Sequence, residues 1–177
     1  VLGNHDYGEY TSWKSNEEKN RNFKNLLKAQ KEFGWNLLLN ENDTISVDGN
    51  KIKVIGVENW ASSRFQQYGD LDKAYNGLNN EDFKILMTHN PSHWNAKVTD
   101  AYNDIDLTLS GHTHGLQYGI DIGDFRVSPV RLAYKQWADL YELNKQYIYV
   151  NRGFGFMGYP GRVGILPEIT ILELKKS

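Results

Sequence analysis

Cysteine is absent from this sequence of 177 residues. Its absence excludes disulfides, thiolate metal sites and cysteine nucleophiles, but it does not distinguish a reducing from an oxidising compartment. The chain also lacks any run that approaches the roughly 20 apolar residues of a membrane-spanning helix. Neither sign of charge dominates, because 20 Lys and Arg stand against 22 Asp and Glu, for a net charge of -2. Nothing in this balance predicts non-specific nucleic-acid binding.

The composition is that of an ordinary soluble globular protein, with 40% hydrophobic and 24% charged residues. The length predicts a single domain over residues 1–177, and no repeat, low-complexity tract or linker divides it. The first residues, Val1 and Leu2, resemble the end of a strand and include no initiator Met. We therefore expect an amino-terminally truncated domain, with any membrane anchor of the full-length protein lying upstream.

The first part of the chain predicts a long helix and a hairpin. Residues 15–18 have the form of a capping box, and apolar residues follow at helical spacing until Gly34, which predicts about five helical turns. Residues 44–47 and 51–57 alternate in hydrophobicity around Asp48-Gly49, a strong hairpin signal.

The remaining elements are predicted to be short. A short helix is expected near residues 70–75, and His93 is expected to pack or lie on the surface within another short helix. Strands are predicted at residues 37–39, 83–88, 106–110, 137–141, 146–150 and 168–174, with a hairpin joining the segments at 137–141 and 146–150.

Amide and imidazole side chains follow several of these strands. Gly3-Asn4-His5-Asp6 opens the chain, His89 closes the strand at 83–88, and Gly111-His112-Thr113-His114 follows the strand at 106–110. Because the carboxyl ends of parallel strands meet at one edge of a sheet, we expect His89 and His112 to be neighbours. Amide oxygen and imidazole nitrogen together suit Mn, Fe or Zn better than Cu(I).

Each motif is weak when it is taken alone. Gly-Asn-His-Asp is also a plausible turn, a single His-x-His is common, and a lone histidine at a strand end is more often structural than a ligand. The three motifs together, in this order and at predicted strand ends, favour a metallohydrolase.

The order of the motifs resembles that of the calcineurin-like dinuclear metallophosphoesterases. The complete signature of that family also contains D-x-H and G-D-x-x-D before G-N-H, and neither occurs upstream of Gly3 here. The resemblance therefore covers the carboxyl-terminal part of such a domain. The segments at 149–155, 160–162 and 167–170 are similar to the carboxyl end of a bacterial phosphohydrolase branch whose members often carry amino-terminal membrane segments.

The resemblance implies an α/β fold of four layers, α/β/β/α, and a centre of two divalent metal ions. Asn4, His89 and His112 would hold one ion and His114 would contribute to the other, while the bridging aspartate would come from the missing G-D motif. Hydrolysis of a phosphomonoester, phosphodiester or diphosphate bond would then use a metal-bound hydroxide. His5 would act beside the metals on the phosphoryl group or the leaving oxygen, with Asp6 orienting its ring.

Two further features concern the substrate side of the expected site. Arg152 or Arg162, in or next to the glycine-rich stretch at 153–164, would meet a phosphate, unless this stretch only turns the chain between two strands. Many family members read G-H-T-H-G-G-Q, whereas Leu116 replaces the second of those glycines here. This departure bears on substrate fit more than on metal binding.

Alternative functions remain open at the level of sequence. The chain could be a catalytically inactive fragment or pseudoenzyme that binds a partner, since the isolated chain is expected to bind metal weakly and turn over little. A cupin-like single-metal protein is disfavoured, because residues 115–120 lack the carboxylate expected after His-x-His. The expected substrate is a phosphorylated small molecule or a lipid-linked phosphate, and the compartment stays undetermined, with membrane association possible for the full-length protein.

Overall fold

A computed structural model describes residues 1–62, 66–123 and 125–175. The helical segments are α1 (Asn16–Glu32), α2 (Leu71–Tyr75), a π-helical segment (Trp94–Val98) continued by α3 (Thr99–Ala101), and short 3-10 turns at His114–Gln117 and Pro129–Leu132. The strands are β1 (Glu41–Val47), β2 (Asn50–Gly56), β3 (Phe83–Met87), β4 (Leu107–Ser110), β5 (Ile120–Ile122), β6 (Phe125–Val127), β7 (Asp139–Leu143) and β8 (Gln146–Val150).

Six strands form one central sheet in the order β1-β2-β3-β4-β8-β7. Strands β2, β3, β4 and β8 run parallel, and the antiparallel strands β1 and β7 close the two edges. The parallel strands therefore end at one edge of the sheet, where His89 follows β3 and His112 follows β4. The mixed α/β class predicted from the sequence is confirmed, and the large sheet is consistent with the metallophosphoesterase fold.

Both predicted hairpins are confirmed, and left-handed backbone conformations at their turns explain why. Asp48 and Gly49 have φ of 49° and 78°, and they join β1 to β2 in register. Asn144 and Lys145, with φ of 53° and 67°, join β7 to β8. Positive φ at both central residues is the geometry whose twist matches that of paired strands.

The predicted capping box begins helix α1. The Ser15 hydroxyl accepts a hydrogen bond from the Glu18 backbone N–H at 3.2 Å, and the Glu18 carboxylate accepts one from the Lys14 N–H. None of the helix residues is buried, so α1 lies on the outside of the fold. Phe23 stacks against Tyr7, with ring centroids 5.4 Å apart.

The main hydrophobic core lies against the central sheet. Ile55, Leu86 and Ile148 from strands β2, β3 and β8 are fully buried, and Leu71 of α2 and Trp94 of the π-helical segment pack with them. His93 is also fully buried, where its ring stacks on Trp60 at 4.3 Å and its Nδ1 lies 3.0 Å from the Thr88 hydroxyl. Of the two alternatives for His93, packing or the surface, the structure shows packing.

Strands β5 and β6 form a separate two-stranded ribbon. Asp121 and Arg126 are paired on one face of the ribbon, and they form ion pairs with Arg152 and Asp139 on the body of the protein. The charged face of the ribbon therefore attaches it to the sheet, whereas Ile122 on the opposite face is exposed.

Two predicted strands are wrong. Residues 37–39 form no strand, although Leu38 is buried against Gly56, because the adjacent edge of β2 is already paired with β1. Residues 168–174 pair with no strand among the described residues, and Ile169 and Ile171 are 85% and 94% exposed. Their alternating pattern is typical of a strand, but the segment joins no sheet and is attached instead by side-chain hydrogen bonds such as that of Arg152 to Glu168.

Within the described segments, no helix combines the length and the apolar character that crossing a bilayer requires.

Candidate metal centre

Three side-chain atoms from distant parts of the chain meet at the carboxyl edge of the sheet. Asn4 Oδ1 lies 2.9 Å from His89 Nε2 and 3.1 Å from His112 Nδ1, and the two imidazole nitrogens lie 3.0 Å apart. The three atoms form a nearly equilateral triangle. We call this group the Asn4–His89–His112 half-site.

Hydrogen bonds alone do not satisfy this triangle. The amide oxygen only accepts, and each imidazole nitrogen either carries one proton or offers one lone pair. Wherever the protons are placed, at least one pair of these three atoms has two protons or two lone pairs facing each other. A cation in front of the triangle would bind all three lone pairs at once, and an octahedral ion with bonds of about 2.1 Å places adjacent ligands about 3.0 Å apart.

The half-site alone would supply only part of the coordination sphere of a metal ion. Among the residues that the structure describes, no group of three or more His, Cys, Asp or Glu side chains is arranged to hold an ion. The ligands brought together are two imidazoles and one neutral amide, without a carboxylate. This donor set fits a borderline divalent cation such as Mn, Fe or Zn, with further ligands from outside the triangle.

Hydrogen bonds to the His89 carbonyl connect the two histidine loops. The His89 carbonyl accepts from the Gly111 N–H at 3.0 Å and from the Ser110 hydroxyl at 2.9 Å. His112 then adopts φ of 68°, an uncommon conformation for a residue other than glycine. Such strain is maintained when surrounding contacts determine the loop, and it concentrates at functional sites.

The turn at the start of the chain positions Asn4. The Asp6 carboxylate accepts from the Gly3 N–H at 2.7 Å, and the Asp6 N–H donates to the Gly3 carbonyl at 3.1 Å. A Cβ atom on Gly3 would lie only 2.7 Å from Cε1 of His89. Glycine is therefore required here because the backbone lies directly against the ring of a half-site histidine.

Burial keeps the half-site imidazoles neutral. Burial, followed by the nearby charges of His112, His114 and His5, lowers the pKa of His89 to about 3. Burial likewise lowers the pKa of His112 to about 4, with His114 and His5 adding to the effect. Neutral imidazole is the form that binds metal.

The other two histidines of the motifs lie around the half-site. His5 is exposed and stacks on Tyr10 at 4.4 Å, and the Tyr10 hydroxyl accepts from Asn4 Nδ2 at 2.8 Å. His114 is half-buried, and its Nδ1 has no hydrogen-bond partner within the described structure. Burial, then the charges of Arg162 and His5, lowers the pKa of His114. Both side chains thus lie close enough to influence the half-site electrostatically.

The two arginines of the sequence analysis have different surroundings. Arg152 is 12% exposed and forms ion pairs with Glu168 at 2.6 Å and with Asp121. Burial alone would raise the pKa of Glu168, but hydrogen bonds from Thr170, Tyr149 and Arg152 lower it to about 2. Arg152 therefore connects the end of β8 to strand β5 and to the segment around Glu168.

Arg162 makes no ion pair among the described residues, and its guanidinium donates to the carbonyls of Gly155 and Arg152 at 2.9 Å. Leu116, at the substituted glycine position, has φ of 53° and ψ of 10°, a left-handed conformation that normally favours glycine. Glycine, which the family pattern has at this position, adopts this conformation without strain. Leu116 adopts it here at a cost in strain.

Two tyrosines beside the half-site were missed by the sequence analysis. The Tyr134 hydroxyl lies 2.8 Å from His112 Nε2, and the Tyr10 hydroxyl contacts Asn4. Neither belongs to a motif or a periodic pattern. Tyr10 lies in the turn at residues 4–10 and Tyr134 follows the 3-10 turn Pro129–Leu132, and only the folded chain brings their hydroxyls to the half-site.

Comparison with known proteins shows the family of the chain. The family model of calcineurin-like phosphoesterases matches residues 1–116. The chain is 31% identical to YkuE of Bacillus subtilis, named as an uncharacterized metallophosphoesterase, over 100% of this chain and 56% of that protein. It is 36% identical to the uncharacterized metallophosphoesterase Cj0846 of Campylobacter jejuni, over 82% of this chain and 36% of that protein.

A vertebrate relative also matches the whole chain. The chain is 30% identical to the transmembrane protein with metallophosphoesterase domain of Bos taurus, over 100% of this chain and 38% of that protein. This chain therefore spans about half or less of the length of these relatives. No solved structure shows a significant match.

A mixed α/β sheet with amide and imidazole side chains at its carboxyl edge is the arrangement expected of a metal-dependent hydrolase. The chain belongs to the calcineurin-like phosphoesterase family.

Proposed function

We propose that this chain carries part of the catalytic centre of a phosphoesterase that cleaves a phosphomonoester, phosphodiester or diphosphate bond with two divalent metal ions. The observation that carries the proposal is the triangle of Asn4, His89 and His112, whose mutual distances of 2.9 to 3.1 Å suit adjacent ligands of one ion. Membership of a metal-dependent phosphoesterase family supports the reaction class.

The protein residues have distinct roles in this proposal. Asn4, His89 and His112 hold one ion, and His114 provides a ligand toward the second. The metals, Mn, Fe or Zn, supply charge neutralisation at the phosphoryl oxygens and activation of water. The low pKa values of His89 and His112 support these roles, because neither imidazole needs to lose a proton near neutral pH before it binds a cation.

We assign His5 to the reacting phosphoryl group or its leaving oxygen. His5 is exposed beside the half-site and is held by stacking on Tyr10, so one side of its ring remains accessible. The Asp6 carboxylate accepts a hydrogen bond from the Gly3 N–H. This bond stabilises the turn that contains His5. A histidine in this position can stabilise or protonate the leaving group as a general acid.

Of the two arginines proposed to meet substrate, Arg162 has the stronger support. Its charge lowers the pKa of the His114 imidazole, which supports a position close to the proposed ligand of the second ion. Arg152 is engaged with Glu168 and Asp121, and we propose that it acts on substrate through the loop it anchors.

The substrate of the whole protein is proposed to be a phosphorylated small molecule or a lipid-linked phosphate. The lipid-linked class is supported by the relatives named as transmembrane proteins with a metallophosphoesterase domain. Membrane association of the full-length protein is part of the same proposal.

The test is hydrolysis of bis-p-nitrophenyl phosphate and p-nitrophenyl phosphate by the chelator-treated chain, with Mn²⁺, Fe²⁺ or Zn²⁺ added back. We expect low activity that depends on added metal and falls at least about 100-fold in His89→Ala, because a ligand is lost. The matched control, Asn20→Ala on exposed α1, should retain wild-type activity. Hydrolysis that is insensitive to both the chelator and His89→Ala would contradict the proposal.

A further inference from the structure

The hydroxyl of Tyr134 lies directly behind one ligand of the half-site. Tyr134 Oη is 2.8 Å from His112 Nε2, and the two rings meet edge to face with centroids 5.4 Å apart. The other ring nitrogen of His112, Nδ1, belongs to the triangle. The imidazole therefore bridges the candidate ion position and the Tyr134 hydroxyl.

The position of Tyr134 is set by its own packing. Its backbone N–H donates to the Val130 carbonyl at 3.0 Å, at the end of the 3-10 turn Pro129–Leu132. Its ring packs against the small buried cluster of Val130, Trp137, Ala138 and Ile165. The hydroxyl is thus presented by a packed ring on a hydrogen-bonded turn.

A second residue from the other histidine loop reaches the same hydroxyl. Asn90 is 1% exposed, and its Oδ1 accepts from the Ser92 N–H at 2.9 Å, which fixes the orientation of the amide. Its Nδ2 then points at Tyr134 Oη, at 3.5 Å. The Tyr134 hydroxyl therefore links the loop after β3 with the loop after β4.

We propose that Tyr134 is a positioning residue for His112, a role that rests on the proposed function of the half-site. For Nδ1 to bind a cation, the ring proton must reside on Nε2, since a neutral imidazole carries only one. Tyr134 Oη is the acceptor for that proton. The contact fixes both the tautomer and the plane of the His112 ring.

The size of the effect follows from related metal sites. Removing the acceptor behind a ligating histidine typically weakens metal binding by about 10-fold to 100-fold. We expect a loss in that range for Tyr134→Phe, which keeps the ring and removes only the hydroxyl. Loss of His112 itself should weaken binding much further.

The experiment is a Co²⁺ titration of the 177-residue chain, followed by its visible absorption spectrum, for wild type, Tyr134→Phe, His112→Ala and Tyr75→Phe. Tyr75→Phe is the matched control, because Tyr75 is a half-buried tyrosine whose hydroxyl donates to Asp104, before the opposite end of β4. NMR of the Zn²⁺-loaded, ¹⁵N-histidine-labelled proteins adds a second signal, the His112 Nε2–H resonance.

We expect weaker Co²⁺ binding and a fast-exchanging Nε2–H in Tyr134→Phe, with both signals unchanged in Tyr75→Phe. Equal affinity and an equally protected Nε2–H in wild type and Tyr134→Phe, with binding still lost in His112→Ala, would overturn the role of Tyr134 alone. Failure of the wild type to bind Co²⁺ at all would overturn the half-site and with it this inference. Equal losses in Tyr134→Phe and Tyr75→Phe would mean a general loss of stability, and would also overturn it.

Discussion

Gly3 shows how strongly a single residue constrains this site. An added methyl group would lie within 2.7 to 2.9 Å of three atoms of the His89 ring, closer than real Cβ contacts allow. His89 cannot move away without leaving the triangle that it forms with Asn4 and His112. The glycine of the first motif is therefore a steric requirement of the half-site.

Gly3→Ala should destabilise the fold by about 1 to 3 kcal/mol, the usual cost of overpacking, and should also weaken metal binding. Urea unfolding and a metal titration measure the two effects. Gly155→Ala is the matched control, because nothing lies within 4 Å of a Cβ there, and its stability should change by less than about 0.5 kcal/mol. Wild-type stability and affinity in Gly3→Ala would contradict the geometry of the turn.

His5 is expected to contribute to the reaction and not to metal binding. His5→Gln should lower kcat by about 100-fold to 10,000-fold, the range for a lost general acid, while the metal affinity stays within about twofold of wild type. Steady-state kinetics and metal titration on the same samples separate these effects. A fall in metal affinity equal to that of His89→Ala would instead place His5 among the ligands.

At the scale of residues, the sequence predicted which side chains meet but not what supports them. Asn4, His89 and His112 were found because each stands in a short motif at a strand end, and parallel strands bring such ends together. Tyr134 and Tyr10 could not be found this way. Their contacts depend on turns and packing between segments that are distant in sequence.

Helix α1 is stabilised mainly by local interactions, since none of its residues is buried. Ser15→Ala removes the cap at its first turn, a loss of about 1 kcal/mol. Because the helix is coupled weakly to the core, we expect faster amide exchange over residues 16–32 with little change in the global unfolding midpoint. Hydrogen exchange measured by mass spectrometry tests this.

Ser46→Ala is the control for the cap, because Ser46 is an exposed serine on strand β1. It should leave exchange in α1 unchanged. An equal loss of protection throughout the protein in Ser15→Ala would show that α1 unfolds only together with the core, contrary to this account.

At the scale of elements, the predictions that rested on local sequence signals were confirmed. The turns at Asp48-Gly49 and Asn144-Lys145 determine their hairpins through their own backbone conformations, so the sequence was sufficient. The predicted strands at 37–39 and 168–174 were wrong because an apolar or alternating pattern shows which residues suit a strand but does not determine whether their backbone pairs with the sheet. The tail is held instead by side chains, with Glu168 bonded to Arg152 and Tyr149.

The whole molecule contains buried histidines whose pKa values are lowered, which gives stability a defined pH dependence. Burial, and then the charge of Lys97, lowers the pKa of His93 to about 3 from 6.5. The unfolded chain binds a proton at this residue below about pH 6.5 while the folded chain does not. The stability contributed by neutral His93 is therefore present above the unfolded pKa and is lost as the pH falls toward 3.

Wild type should lose about 2 kcal/mol more stability than His93→Gln between neutral pH and about pH 5, because Gln does not titrate. Urea unfolding at several pH values, in the presence of a chelator, measures how the free energy of unfolding of each protein changes with pH. His93→Gln will be less stable at neutral pH, so the comparison uses the change with pH within each protein. Parallel pH profiles would show that His93 is already solvated in the folded state.

The central claim is that Asn4, His89 and His112 are ligands of one divalent cation. The most direct measurement is a crystal structure of the Mn²⁺-soaked chain with anomalous diffraction data. The account predicts an anomalous peak in front of the triangle, about 2.0 to 2.3 Å from Asn4 Oδ1, His89 Nε2 and His112 Nδ1. No peak at the triangle, or a peak held only by carboxylates elsewhere, would contradict it.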